Sequence, residues 1–133
     1  MTELAAVVAA ILLGAIAIFQ LAIAAGAPWG DMAWGGRHDR RLPTRLRLGS
    51  GVAAVVLVVA ASVVLAQGGV TSWTPVPEGA LRTVTWVLAG FMVLNTAGNL
   101  ASASRTEQRV FGPTTAVLAI LIAVVAITGD GPA

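Results

Sequence analysis

The chain has 133 residues, 57% of them hydrophobic and 11% charged, and a formal net charge of +2. A soluble domain carries about 25% charged residues, so this deficit excludes an ordinary water-soluble domain and points to lipid as the solvent. The absence of cysteine removes disulfides, thiol catalysis and cysteine-ligated metal, and so small a net charge does not mark a nucleic-acid binder.

Uncharged runs place four spans. From Leu4 to Gly26 the only strongly polar side chain is Gln20, and the first helix is expected near 4–26. A cleaved leader is the weaker reading of this run. Its n-region has Glu3 and no cation, and its apolar stretch exceeds the usual h-region of about 7–15 residues. Charge is absent from Leu48 to Pro77, from Thr83 to Ser104 and from Val110 to Gly129. A spanning helix needs about 20 apolar residues, so further helices are expected near 48–67, 80–101 and 110–128. Pro113 fits the opening turn of the last one. The fold class is therefore all-α integral membrane: a single four-transmembrane-helix bundle over residues 1–133.

Loop 1, residues 27–47, carries Arg37, Arg40, Arg41, Arg45 and Arg47, and the loop before the fourth span carries Arg105 and Arg109. The opposite side holds Arg82 alone. The positive-inside rule makes the two arginine loops cytoplasmic and the protein N-out/C-out, multi-pass in a bacterial inner (plasma) membrane. All eight basic residues are arginine, as expected of a GC-rich genome. Ala10, Gly14, Ala53, Ala89, Gly90, Ala97 and Gly98 lie within spans, where small side chains let backbones approach. They predict a compact bundle or a homo-oligomer contact.

Polar groups inside spans are the sharpest clue, because hydrocarbon offers them no partner. Gln20 lies near the inner end of the first helix. Asn95, Asn99 and Ser102 follow one another at i, i+4 and i+7, on one helical face. These residues predict either an amide bond tying two helices or a shared polar pocket at the cytoplasmic end. Two readings of loop 1 also stay open. It is punctuation that marks topology and attracts anionic headgroups at about 1 kcal/mol per arginine. Alternatively, Trp29, Trp34, Arg45 and Arg47 fold back over Gln20, Asn95 and Asn99 and clamp an anionic ligand, for which the arginine fork is suited.

His38, between Arg37 and Asp39, reads as a solvated loop residue. No metal site, cofactor motif or nucleophile in a catalytic setting is visible. No span carries a mid-membrane charge, which disfavours driven transport by this chain alone.

The segments "GAPWGDMAWGG…LPTRLRLGS" and "LNTAGNLASASRTEQRVFGP" resemble small four-span bacterial, actinobacterial-like integral membrane proteins of unknown function. In those, a GAPWG/AWGG loop precedes a Leu-Pro-Arg segment, and an Asn-rich helix end precedes a Ser-x-x-Glu-Arg loop. Gln108, between Glu107 and Arg109, departs from that pattern. The resemblance implies the four-span fold and no activity.

The sequence thus leads to the expectation of a non-enzymatic protein that acts through an Arg-rich cytoplasmic face, binding membrane lipid headgroups or a protein partner. An oligomeric small-solute transporter or channel is the alternative, and a lipid-modifying enzyme stands behind both.

Overall fold

A computed structural model describes all 133 residues. The chain is entirely helical, with α1 at Thr2–Ala24, α2 at Thr44–Gln67, α3 at Glu78–Leu100 and α4 at Gly112–Thr128. Four helices are long and apolar enough to cross a membrane. Loop 1 joins α1 to α2 and contains two short 3-10 turns, Gly30–Met32 and Trp34–Gly36.

The distribution of side-chain size is the reverse of a water-soluble bundle. Much of the interior is alanine, including Ala5, Ala6, Ala9, Ala17, Ala54, Ala60, Ala66 and Ala89. Large aliphatic side chains point outward instead, among them Ile11, Ile18, Val52, Val58, Val87, Leu94 and Ile120. In water that surface would drive aggregation. In lipid it needs no cover, and small buried residues let the backbones close up. Gly68 is the extreme case: a Cβ there would stand 2.5 Å from the Ala6 methyl group, so α1 and α2 touch where one begins and the other ends.

α1 packs along α2, and α3 along α4, with α1 and α4 closing a third seam. Leu13, Leu57, Val64, Met92, Leu118, Ile122 and Val125 fill the shared centre. The α2–α3 seam is different. These helices meet through Val63, Ala66 and Leu81 at the end away from loop 1, and are otherwise sparsely packed against each other. The gap so formed opens into a cavity between the helices.

Two helix starts differ from the sequence expectation. α2 begins at Thr44, directly after Pro43, so Arg45 and Arg47 belong to its first turns and not to a loop. A proline fixes its own φ near that of a helix start, which lets the helix run into polar sequence that hydropathy alone assigns to the loop. The fourth span begins helically at Arg105, widens into a π turn over Glu107–Phe111 and continues as α4. Pro113 therefore stands just beyond the π turn, well inside the continuous helix. An interior proline lacks one N–H and crowds the preceding turn, and a π turn is a standard way to absorb that local mismatch.

Both ends of the bundle recruit arginine to helix C-termini, where unpaired carbonyls carry partial negative charge. At the loop 1 end, Arg47 Nε donates to the Ala24 carbonyl at 3.2 Å, and a Cβ on Gly26 would find the guanidinium of Arg41 3.3 Å away. At the other end Arg82 donates to the carbonyls of Ala126 and of Gly129, the latter at 2.7 Å. The buried Gln67 amide donates to the same Gly129 carbonyl at 2.8 Å.

A candidate ligand cavity beneath loop 1

Loop 1 folds back over the bundle. Its first half is closed by the Gly30 N–H donating to the Arg40 carbonyl at 2.6 Å, and Ala33 and Leu42 are buried beneath it. The next three residues all have positive φ: Trp34 at 53°, Gly35 at 83° and Gly36 at 70°. A tryptophan in this region is strained, and such strain persists only where surrounding contacts over-determine it. Those contacts are present. Trp34 Nε1 donates to Ser50 Oγ of α2 at 2.9 Å, and Ser50 is fully buried. Gly35 N–H donates to Glu107 Oε1 at 2.9 Å, and Ala103 N–H donates to the Gly35 carbonyl at 3.1 Å. A Cβ on Gly36 would lie 2.6 Å from the backbone nitrogen of Ser104, so the loops approach at backbone distance and only glycine fits.

The loop thereby roofs a cavity of about 330 Å³. That is the lower end of the range of small-molecule sites, about 300–1,000 Å³. α1 contributes Ile16, Phe19 and Gln20; α2 contributes Ala53, Val56 and Leu57; α3 contributes Phe91, Met92, Asn95 and Asn99. Met32, Ala33 and Trp34 form the roof, and Glu107, Phe111 and Thr115 the remaining wall. Val56 and Phe91 are each 43% exposed, so the α2–α3 gap is the open side. A second hollow, of about 400 Å³, lies against the outer side of α3 and shares Trp34, Asn95, Asn99 and Glu107 with the first.

The structure brings Gln20, Trp34, Asn95 and Asn99 to one cavity and leaves the other three candidates outside it. Trp29 stacks on Phe19, with ring centroids 6.3 Å apart and planes at 8°, while Phe19 packs against Phe111 at 4.9 Å. Trp29 thus backs the cavity wall from outside. Arg47 is held on the end of α1, and Arg45 is exposed on the first turn of α2. The picture of an arginine clamp over the amides needs correction: the early start of α2 leaves Arg45 exposed on its first turn and sets Arg47 against the end of α1, and neither lines the cavity.

One amide tie between helices is present, from Asn99 of α3 to Thr115 of α4, and neither Gln20 nor Asn95 takes part in it. Gln20 makes no hydrogen bond, and its Oε1 is enclosed without a partner. Asn95 Nδ2 donates to the Phe91 carbonyl of its own helix at 2.8 Å. Asn99 Nδ2 reaches Thr115 Oγ1 at 3.5 Å, and the interhelical bond of better length runs between the hydroxyls of Thr96 and Thr115, at 2.9 Å. His38, read as solvated, is half-buried with Nδ1 enclosed and unpartnered.

Glu107 lines the cavity and is a residue that the sequence alone does not single out. Its Oε1 accepts from Gly35 N–H and from the Ser102 hydroxyl at 2.7 Å, while Oε2 takes no hydrogen bond from the protein. Ser104-Arg105-Thr106-Glu107 has the S-x-x-E spacing of a capping box. Half of that box forms, with Glu107 N–H donating to Ser104 Oγ at 3.2 Å. The other half is diverted: Ser104 N–H goes to Ser102 Oγ instead, which frees the carboxylate to pin loop 1. The spacing was a readable signal for a helix start here. Its redirection into the bundle was not. No group of side chains is placed to hold a metal ion.

Comparison with protein-family models, curated proteins and solved structures finds no match for this chain.

Proposed function

We propose that this chain is a non-enzymatic binding protein of a bacterial inner membrane, N-out and C-out, whose cytoplasmic end holds one small amphipathic ligand beneath loop 1. The observation that carries the reading is the enclosed, partnerless Gln20 Oε1 at the wall of a roofed 330 Å³ cavity. A buried polar atom without a partner costs about 1–3 kcal/mol, and the cost disappears when a bound molecule or water supplies the donor. Strain at Trp34 belongs to the same picture, since the backbone that builds the roof is held in an unfavourable conformation by contacts on both sides.

The exposed arginines around this end, Arg37, Arg40, Arg45, Arg105 and Arg109, supply the cationic face that meets anionic lipid headgroups. Their role is to anchor and orient the protein, separately from the cavity. Passage across the membrane is disfavoured, because Leu13, Val64, Leu118, Ile122 and Val125 are packed below the cavity and leave no polar path through one chain.

Native mass spectrometry of protein extracted gently from its membrane tests the binding reading. A retained small-molecule mass is expected on the wild-type chain and is expected to vanish in Ala53→Phe, which fills the cavity. Retained masses identical in both proteins, at equal helical content, would contradict the reading.

A further inference from the structure

We propose that the ligand is an organic cation, an ammonium carried on an apolar body. The inference rests on the cavity being a binding site and goes on to assign its chemistry. Several donors that could recognise an anion are already engaged. Trp34 Nε1 is on Ser50, Gly35 N–H is on Glu107, and the Thr115 hydroxyl donates to the Phe111 carbonyl at 2.8 Å. Asn95 and Asn99 each direct an N–H into the protein. The Gln20 amide N–H groups and the second N–H of Asn95 and of Asn99 are left free, and none of these donors carries a charge.

What sets the acceptors apart is charge. Gln20 Oε1 is enclosed and unpartnered, Glu107 Oε2 accepts nothing from the protein, and the carbonyl oxygens of Asn95 and Asn99 are unpartnered as well. Glu107 is the single ionisable residue lining the cavity. No arginine enters the wall. An anion placed here would face a carboxylate in a low-dielectric setting with no compensating cation, whereas a cation would be paired.

Aromatic rings complete the environment. Phe19, Trp34, Phe91 and Phe111 all line the cavity, and aromatic faces attract a desolvated ammonium through their quadrupole. The remaining wall is aliphatic and suits an apolar body. The open side faces the α2–α3 gap, at the level of hydrocarbon-facing residues, so an amphiphile can enter from lipid. An amine-bearing lipid headgroup and a free amphipathic amine share this chemistry.

The test uses the full chain in phosphatidylglycerol nanodiscs, with benzyltrimethylammonium as the cationic probe and phenylmethanesulfonate as an anion of similar shape, followed by calorimetry. The cation is expected to bind and the anion not. Glu107→Gln keeps an acceptor for Gly35 and Ser102 but removes the charge, and is expected to weaken the cation about tenfold or more. Phe91→Leu keeps the wall apolar while removing a ring, and is expected to weaken it several-fold. Should Glu107→Gln fail to fold, Phe91→Leu carries the test.

Anion binding tighter than cation binding, or cation binding unchanged in both variants, overturns the ammonium assignment. If the preferred anion is still lost in Ala53→Phe, the binding-protein reading survives while the ligand class falls. If neither probe responds to Ala53→Phe, the cavity reading itself fails. Replacing part of the phosphatidylglycerol with phosphatidylethanolamine separates the sources. A weaker apparent affinity marks the lipid ammonium as the competing occupant, and an unchanged one marks a free amine. Either result supports the ammonium assignment.

Discussion

Trp34 and its two glycines carry more of the architecture than any other residues in the chain. Their positive φ values turn the backbone so that one indole reaches α2 while the adjacent N–H reaches Glu107. At Gly36 a side chain meets two penalties at once: φ near 70° and backbone of Ser104 at 2.6 Å. Gly36→Ala is therefore expected to cost about 2 kcal/mol or more, read as a lower thermal midpoint in detergent. Gly14→Ala is the control, since nothing lies within 4 Å of its added Cβ and alanine is the better helix former by up to about 1 kcal/mol. That variant is expected to be neutral or stabilising. Equal losses in the two would show that loop docking at Gly36 contributes nothing.

At the scale of elements, helix ends explain where the arginines went. Charge counting assigns Arg45, Arg47 and Arg82 to topology, and it cannot tell which of them also satisfy carbonyls. Arg82 bonds three carbonyls at the end of α4, whereas Arg45 is exposed. Arg82→Ala is expected to lower stability by about 1–2 kcal/mol, and Arg45→Ala to stay within about 0.5 kcal/mol. Chemical unfolding in the same detergent measures both. A neutral Arg82→Ala would remove the capping role.

The same scale shows what was legible in the sequence. The number of long apolar helices follows from the uncharged runs, each of which is long enough for one spanning helix. The positions of Gln20, Asn95 and Asn99 at one end follow from helical periodicity. The π turn did not follow, since Pro113 is equally compatible with a plain helix start. The pairing of Glu107 with Gly35, 72 residues apart in the chain, has no local signature, because a long-range contact leaves no periodicity. Arg45 and Arg47 were misplaced for a simpler reason. Hydropathy marks where lipid begins, while a helix continues into water as far as its backbone bonds permit.

Across the whole molecule, the bundle is closely packed around alanines at one end and hollow at the other. The hollow end bears the arginine-rich loops, and the proposed topology turns it to the cytoplasm. The cysteine-free sequence makes this simple to check. A single cysteine at Ser72 is expected to react with an impermeant maleimide applied outside intact cells, and one at Arg40 only after lysis. The reverse pattern would invert the protein and put the cavity outside.

Loop 1 roofs the bundle interior through Met32, Ala33 and Trp34 instead of forming a solvated connector. The most direct measurement is proton NMR of the tryptophan indoles in micelles. Built onto Gly49, a Cβ would lie 3.0 Å from the Trp34 ring, and the Trp34 indole N–H is bonded to buried Ser50. A strong nuclear Overhauser contact is expected from the Trp34 ring to Gly49, with the Trp34 indole N–H exchanging far more slowly than that of exposed Trp73. A Trp34 indole that exchanges as fast as Trp73, with no contact to α2, would contradict the roofing of the bundle by loop 1.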